Sequence, residues 1–221
     1  MYRDLYDEKH RLHQASFAEN KVQSKLKQTG AYEKHILCSD CDNGIIGKLE
    51  RYASLVLFGG VDLGCKMEKN EAGIHFSHFF DIDYPQFKLF LLSVLWRVGI
   101  SSLPIFRLID LKHHGDILRQ MILKNDPGKC EEYPCVIFTY LNNQKIPHQL
   151  IGEPGFIFND REHICFLLIG GNLFLYFLAD KAVPEWVLGN AINERNELRL
   201  IHMTERMAST TVNKFIGIEL F

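Results

Sequence analysis

The residues best suited to chemistry in this chain are two cysteines separated by two residues, Cys38 and Cys41. Two thiolates at this spacing suit tetrahedral zinc, because a tight turn can direct both sulfurs at one point. A structural zinc site needs four protein ligands, so the pair supplies half of one. The sequence therefore predicts a knuckle turn around these cysteines, with both thiols as ligands of a structural zinc.

Two other interpretations of the cysteine pair stay open. The thiols could be unmetallated side chains on a turn, or a redox pair of the kind that opens a helix after a βαβ strand. No βαβ context precedes Cys38, which disfavours the redox interpretation. Cys65, His75 and His78 are candidates for completing a zinc site internally, but residues three apart on a strand point to opposite faces, so the two histidines are not expected to converge.

Four helices are predicted after the cysteines. Apolar residues recur at helical spacing from Ile45 to Leu57, and a glycine pair ends that helix. The segment 84–99 is apolar on nearly all sides, with Pro85 at an early position, so we expect a helix there at the centre of the core. A third helix is predicted from about His114 to Lys124, and a short one over 184–190.

The second half of the chain is rich in strand-forming residues. Strands are predicted over 135–141, 155–158, 163–169 and 173–178, with hairpin turns at 159–162 and 170–171. We expect these strands to form an antiparallel sheet. An earlier strand is predicted over 74–83, whereas residues 61–73 and 20–30 are predicted loops and the first 35 residues a short helix or arm.

Composition restricts the class of protein. The 221 residues are 47% hydrophobic and 24% charged, which is typical of a globular chain and argues against disorder. The net charge of −2 does not indicate a nucleic-acid-binding protein as a whole, so any such contact would use a local basic patch. The basic side chains near the N-terminus are candidates for that patch, although a solvated surface is the favoured explanation for them: Lys21, Lys25, Lys27 and Lys34.

The apolar runs and the cysteines bear on the cellular compartment. The runs 87–100 and 164–179 are too short or too interrupted to span a membrane. No signal peptide is recognised after Met1, and six cysteines in a chain with a large core are expected to be reduced. We therefore expect a soluble, cytoplasmic protein with no membrane partner.

The segment from His35 to Asn43, followed by Leu49-Glu-Arg-Tyr-Ala53, resembles the second half of the motif of HNH endonucleases that carry a CxxC zinc knuckle. Other stretches are also similar to bacterial proteins of this group: 1–10, 90–97 and 113–119. The resemblance implies metal-assisted phosphodiester hydrolysis of DNA or RNA, a structural zinc, catalytic Mg²⁺ or Mn²⁺, and a role in bacterial phage defence.

The same resemblance identifies what departs from the family pattern. The family's histidine general base and its upstream cysteines lie in a segment that would precede Met1, and His10 and His13 are too far along to take that role. The position after the second knuckle cysteine, commonly His or Asn, is Asp42 here. Asp42 is a candidate remnant ligand for Mg²⁺, or a cap of the following helix.

Other polar side chains have structural explanations. His113 and His114 could form a metal pair or a base, but a surface position at a helix start is favoured. Arg97 and Arg119 could each bind a phosphate, but a structural salt bridge is the commoner role of such arginines, and Glu50 is a candidate partner. A deep pocket lined by His113, Arg119 and carboxylates, away from Cys38, would indicate an unrelated α+β enzyme.

The sequence thus predicts an α+β fold in which an N-terminal knuckle and helices pack with a C-terminal antiparallel sheet. Residues 1–60 are predicted to form an HNH-like remnant, and 61–221 an α+β domain with the central helix 84–99 and antiparallel strands over 133–178. The predicted function is that of a truncated or degenerate HNH-like nuclease. It would be catalytic only when the upstream half is supplied, and its catalytic residues are not identified. The alternative is a non-catalytic α+β protein that binds a protein partner or regulates one.

Overall fold

A computed structural model of the chain describes residues 6–18, 21–28, 30, 33, 36–60, 62–140, 150–158, 163–178, 182–207 and 210. The helices, including a π-helical segment and a 3₁₀ turn, are π Asp40–Ile46, α1 Gly47–Phe58, α2 Tyr84–Ile100, 3₁₀ Pro104–Phe106, α3 His113–Lys124 and α4 Glu185–Leu188. The strands are β1 Leu12–Ala18, β2 Lys21–Lys27, β3 Cys65–Lys69, β4 His75–Phe79, β5 Cys135–Thr139, β6 Leu150–Gly152, β7 Gly155–Phe158, β8 His163–Ile169, β9 Asn172–Phe177 and β10 Leu198–His202. The predicted α+β class is confirmed.

Within the described residues, the strands form one mixed sheet in the order β2-β1-β6-β8-β9-β5-β10-β4-β3, with β7 also paired to β8. The pairs β1–β6 and β5–β10 are parallel, and the other pairs are antiparallel. The predicted antiparallel pairing of the second-half strands is confirmed for β5, β7, β8 and β9. The predicted turn at Gly170-Gly171 is also confirmed, since both glycines have positive φ and join β8 to β9 through two residues.

Helix α2 lies at the centre of the core, as its sequence predicts. Its residues Phe87, Leu91, Leu92 and Leu95 are fully buried. Asp83 caps the helix by accepting a hydrogen bond from the Gln86 backbone N–H at 2.9 Å, with Pro85 in the first turn. Helices α1 and α3 pack beside α2, so the three helices cover one face of the sheet.

Five of the strands were not predicted from the sequence. Residues 12–18 and 21–27, predicted to be an arm and a loop, form the antiparallel pair β1–β2, and residues 65–69, predicted to be a loop, form β3. Strands β6 and β10 were also not predicted. The predicted arm and loops are wrong because the residues of β2 and β3 that are described are mostly exposed, which leaves little apolar alternation at these two sheet edges.

Side chains on both sides of residue 60 share one core. Leu49, Ala53 and Val56 of α1 belong to the same buried cluster as α2 and the central strands. Strand β1 pairs with β6, so the N-terminal hairpin extends the sheet formed by later residues. No helix in the described part of the chain combines the length and hydropathy that crossing a membrane requires. The predicted hairpin turn at 159–162 lies outside the described residues.

Candidate functional site

Cys38 immediately precedes the helical run that continues into α1. The Cys38 carbonyl accepts a hydrogen bond from the Asp42 N–H at 2.9 Å, which closes the first helical turn. The Cys38 Sγ accepts the Cys41 N–H at 3.4 Å, in the way that a capping side chain satisfies a free N–H at a helix start. The CxxC segment is therefore the start of a helix, and the separate knuckle turn expected before Ile45 is a π-helical turn instead.

The two thiols interact with each other, and the contact shifts their pKa values in opposite directions. A hydrogen bond from the Cys41 thiol lowers the pKa of Cys38, and the Cys41 N–H and Asp40 N–H lower it further. The same thiol contact raises the pKa of Cys41, and burial adds to that rise. Cys38 is exposed and Cys41 is half-buried. The pair is therefore an accessible, acidic thiol backed by a less acidic and less accessible one.

The pair gains no further metal ligand among the described residues. Among the described residues, one group of three potential metal ligands lies close together: Cys130, Glu131 and Glu194. Cys38 and Cys41 do not belong to it. Two converging sulfurs fit half of a zinc site, and the described part of the chain does not complete the tetrahedron.

The other proposed ligands lie elsewhere. Cys65 and His75 lie on β3 and β4. His78 contacts Glu68 through its Nδ1 at 3.1 Å, on the face of β4 opposite His75. Asp42 is exposed within the π-helical segment, and in the described structure its carboxylate has neither an ion pair nor a hydrogen bond. Asp42 alone does not make a site for Mg²⁺ or Mn²⁺, which need several oxygen ligands.

Two of the four lysines proposed for nucleic-acid binding have described side chains. Lys25 and Lys27 are exposed on the edge strand β2, where alternate residues share one face. The side chain of Lys21, which is also on β2, and the whole of Lys34 lie outside the described residues. The predicted nucleic-acid-binding patch therefore has two described members.

One cavity adjoins Cys41, and a second, larger cleft shares two lining residues with it. A small apolar cavity is lined by Cys41, Ile45, Trp96, Arg119 and Ile122, among others. Trp96 and Arg119 also line a larger cleft of about 410 Å³ between α2 and α3. The rest of the cleft lining is Gly99, Ile100, Asp110, Leu111, Lys112, Gly115 and Asp116. The cleft is connected to Cys41 through the shared residues Trp96 and Arg119, so we treat the cleft and the cavity as one candidate site.

The arginines of α2 and α3 have different partners. Arg97 pairs with Glu50 at 2.7 Å, so the suggested structural salt bridge between α2 and α1 is confirmed. Arg119 has no salt bridge or hydrogen bond with any described residue, and its guanidinium faces Cys41 closely enough to lower the pKa of that thiol slightly. Arg119 is thus a positive charge that is available to a ligand at this site.

The paired histidines are separated by burial. His113 is exposed at the start of α3, where the sequence suggested a surface location. His114 is buried and its Nδ1 lies 2.9 Å from the Tyr133 hydroxyl. Neither histidine lines the α2–α3 cleft, so the pocket of His113, Arg119 and carboxylates forms only in part, with Arg119 and two aspartates.

Sequence reasoning missed the cleft residues Trp96, Asp110, Lys112 and Asp116. The sequence pattern assigns Trp96 only to the apolar helix over 84–99 and Asp116 only to the helix predicted from about His114, and residues 110–112 carry no prediction. Their proximity depends on how α2 packs on α3, which no local pattern shows. Comparison of the chain with family models, with curated proteins and with solved structures gave no match.

Proposed function

We propose that the chain is an HNH-type nucleic-acid-processing protein in which Cys38 and Cys41 form half of a structural zinc site. The observation that supports this proposal is the convergence of the two sulfurs at the start of a helix, with that helix directly behind them. The remaining two zinc ligands and the histidine general base would come from outside the residues that the structure describes. Bound zinc would fix the CxxC segment against that other half.

The chemistry of such a protein requires parts that the described residues do not assemble. A divalent ion would polarise the scissile phosphate and a histidine would activate water. Neither a histidine nor a carboxylate cluster lies beside Cys38 among the described residues. We therefore assign no catalytic step to this part of the chain, and its contribution is the zinc half-site and the adjacent cleft.

Metal analysis tests the zinc half-site. The purified chain is expected to contain zinc that is lost in Cys38→Ser and Cys41→Ser, and retained in Cys65→Ser. Cys65 is a matched control, because it is exposed but begins a strand. A half-site satisfied between two copies would give one zinc per two chains and a dimer that a chelator dissociates. Absence of zinc from protein prepared with zinc present would contradict the proposal.

A cleavage assay tests the catalytic part of the proposal. The chain is incubated with DNA or RNA and Mg²⁺ or Mn²⁺, beside a version that includes any upstream open reading frame. Cleavage by the extended version, lost when its histidine base is replaced, would support a nuclease. Zinc binding without cleavage by either version would favour the non-catalytic protein-interaction role.

Thiol–disulfide exchange is a second candidate activity, favoured by the position of Cys38 as the helix-opening cysteine. The Cys38 thiolate would attack a disulfide and release one thiolate. The Cys41 thiolate would then displace the second, leaving Cys38–Cys41 oxidised and the substrate reduced to two thiols. Metal-free protein equilibrated with oxidised and reduced glutathione should form an intramolecular Cys38–Cys41 disulfide. If the intramolecular Cys38–Cys41 disulfide does not form in the glutathione buffer, this activity is excluded.

A further inference from the structure

The α2–α3 cleft has the dimensions of a site for one small ligand. Its volume of about 410 Å³ lies within the range of small-molecule sites, which is roughly 300 to 1,000 Å³. Gly115 contributes no side chain to the wall, which keeps the cleft open at the first turn of α3. A double helix is too wide for such a space, whereas a single nucleotide unit fits it.

The lining offers groups of both signs beside an aromatic ring. Arg119 and Lys112 are exposed cations, and neither side chain has a salt bridge or hydrogen bond within the described structure. Asp110 and Asp116 supply carboxylate acceptors, and Trp96 supplies an aromatic surface. Guanidinium groups bind phosphate oxygens with paired N–H donors, and indole rings stack on nucleobases. A ligand matching all three features carries an anionic group, a planar ring and hydrogen-bond donors.

We propose that the α2–α3 cleft binds a phosphorylated nucleoside, with the base against Trp96 and the phosphate at Arg119 and Lys112. The amino and ring N–H groups of a base would donate to Asp110 or Asp116. This inference rests on the proposed nucleic-acid function for its choice of substrate class. Because Trp96 and Arg119 also line the cavity beside Cys41, the bound phosphate lies next to the cysteine pair.

The test uses the fluorescence of Trp96 in the full chain with Trp186 replaced by Phe. Trp186 is half-exposed, packs edge-on against Phe177 and does not line the cleft, so its removal leaves one reporter. Titration with nucleoside 5′-monophosphates is expected to give saturable quenching, and the corresponding nucleosides should bind roughly tenfold or more weakly. Equal binding of nucleoside and monophosphate would overturn the proposal, as would the absence of saturable quenching.

Variants locate the ligand. Arg119→Gln is expected to weaken monophosphate binding roughly tenfold, and the matched Arg51→Gln, on the exposed face of α1, should leave binding unchanged. Gly115→Met should fill the cleft and abolish binding. Gly115→Ala should fold and bind, because a Cβ at this position lies 3.9 Å from its nearest neighbour, the Leu111 Cβ. Unchanged binding in both Arg119→Gln and Gly115→Met would place the ligand elsewhere and overturn the proposal.

Two further experiments are needed. The first distinguishes a strand end from a free nucleotide as the ligand, and the second distinguishes failure of the cleft proposal from failure of the proposed function. Single-stranded oligonucleotides with and without a 5′-phosphate compete against a bound monophosphate. Competition that depends on the 5′-phosphate assigns the site to a strand end, and binding of the monophosphate alone assigns it to a free nucleotide. The titration is repeated in Cys38→Ser/Cys41→Ser. Nucleotide binding that persists there, in a chain that fails the zinc and cleavage tests, supports the cleft and contradicts only the proposed function.

Discussion

Cys38 and Cys65 are both exposed cysteines, but only Cys38 begins a helix. The Cys41 thiol and N–H both stabilise a thiolate at Cys38, which lowers its pKa. In metal-free protein at neutral pH, we expect iodoacetamide to alkylate Cys38 faster than Cys65, as followed by peptide mass spectrometry. The Cys38 pH profile should move to higher pH in Cys41→Ala, because the largest stabilising contact is lost.

Cys41→Ser provides the matched control for that experiment, since its hydroxyl retains a donor near Cys38. The profile of this variant should lie between those of wild type and Cys41→Ala. Identical pH profiles for Cys38 in all three proteins would show that the thiol contact does not control its reactivity.

Lys88 is fully buried, and its Nζ donates to the Glu132 carbonyl at 2.7 Å and the Tyr133 carbonyl at 3.1 Å. Burial lowers the pKa of Lys88 to about 8. The nearby thiols and carboxylates partly offset this decrease, because their negative charges favour the protonated amine: Cys135, Cys130, Glu132 and Glu194. A lysine whose pKa is lower in the folded state has lost its proton there at a pH where the unfolded chain keeps it. Its contribution to stability therefore rises between about pH 8 and pH 10.5.

Lys88→Met removes this contribution, so the variant should lose stability relative to wild type as the pH rises through that window, by roughly 3 kcal/mol at most. Urea unfolding at several pH values measures the difference between the two proteins. The buried thiols Cys135 and Cys165 have raised pKa values and act in the opposite direction. Both proteins contain them, so to first order they cancel in the comparison. A difference that does not change with pH would contradict a lowered Lys88 pKa.

Among the elements, those with strong local patterns are the ones that the sequence predicts well. The apolar surface of α2 and the apolar strands β7 and β8 are evident from neighbouring residues alone, and their boundaries agree with prediction to within a residue. Strands β2 and β3 lie at the edges of the sheet and are mostly exposed. Strands β6 and β10 are short, and each pairs in parallel with a strand that is distant in the sequence. Non-local pairing leaves no local pattern to find.

The candidate site divides in the same way. The CxxC spacing is local, so the convergence of its sulfurs was predictable. The helical start under Cys38 was not, because the apolar spacing that indicates α1 begins only at Ile45. The cleft at Trp96 and Arg119 arises where α2 crosses α3, and no single segment of the sequence encodes it.

The start of α2 tests how much one cap contributes to its element. The Asp83 carboxylate accepts from the Gln86 N–H and from the Gln86 side chain at 2.7 Å, and α2 contacts both other long helices. Asp83→Ala should lower the free energy of unfolding by about 1 kcal/mol, whereas Asp83→Asn, which can still accept the N–H, should cost only a few tenths. Urea titration measures both variants. Equal losses would indicate that the charge at this position, rather than the cap, stabilises the helix.

At the scale of the whole molecule, the sheet joins the first described strands to the last. Strand β1 pairs with β6 and β10 lies between β5 and β4, so the first and the last described strands are both built into the sheet. Helix α1 shares its buried side chains with α2 and the central strands. An arrangement with one shared core is expected to unfold cooperatively, because no part can lose its packing without exposing that of the others.

Leu49→Ala tests this cooperativity from within residues 1–60. Leu49 is buried in the shared core, so its truncation should cost about 2 to 3 kcal/mol, whereas Leu55→Ala on the exposed side of α1 should cost well under 1 kcal/mol. Unfolding is followed separately by Trp186 in a Trp96→Phe background and by Trp96 in a Trp186→Phe background. If the core is one unit, Leu49→Ala shifts both transitions equally, although Trp186 lies beside Phe177 in the second half of the chain. A shift confined to the Trp96 signal would mean that α1 and α2 unfold apart from the sheet, and the candidate site would then rest on a unit separate from β5–β10.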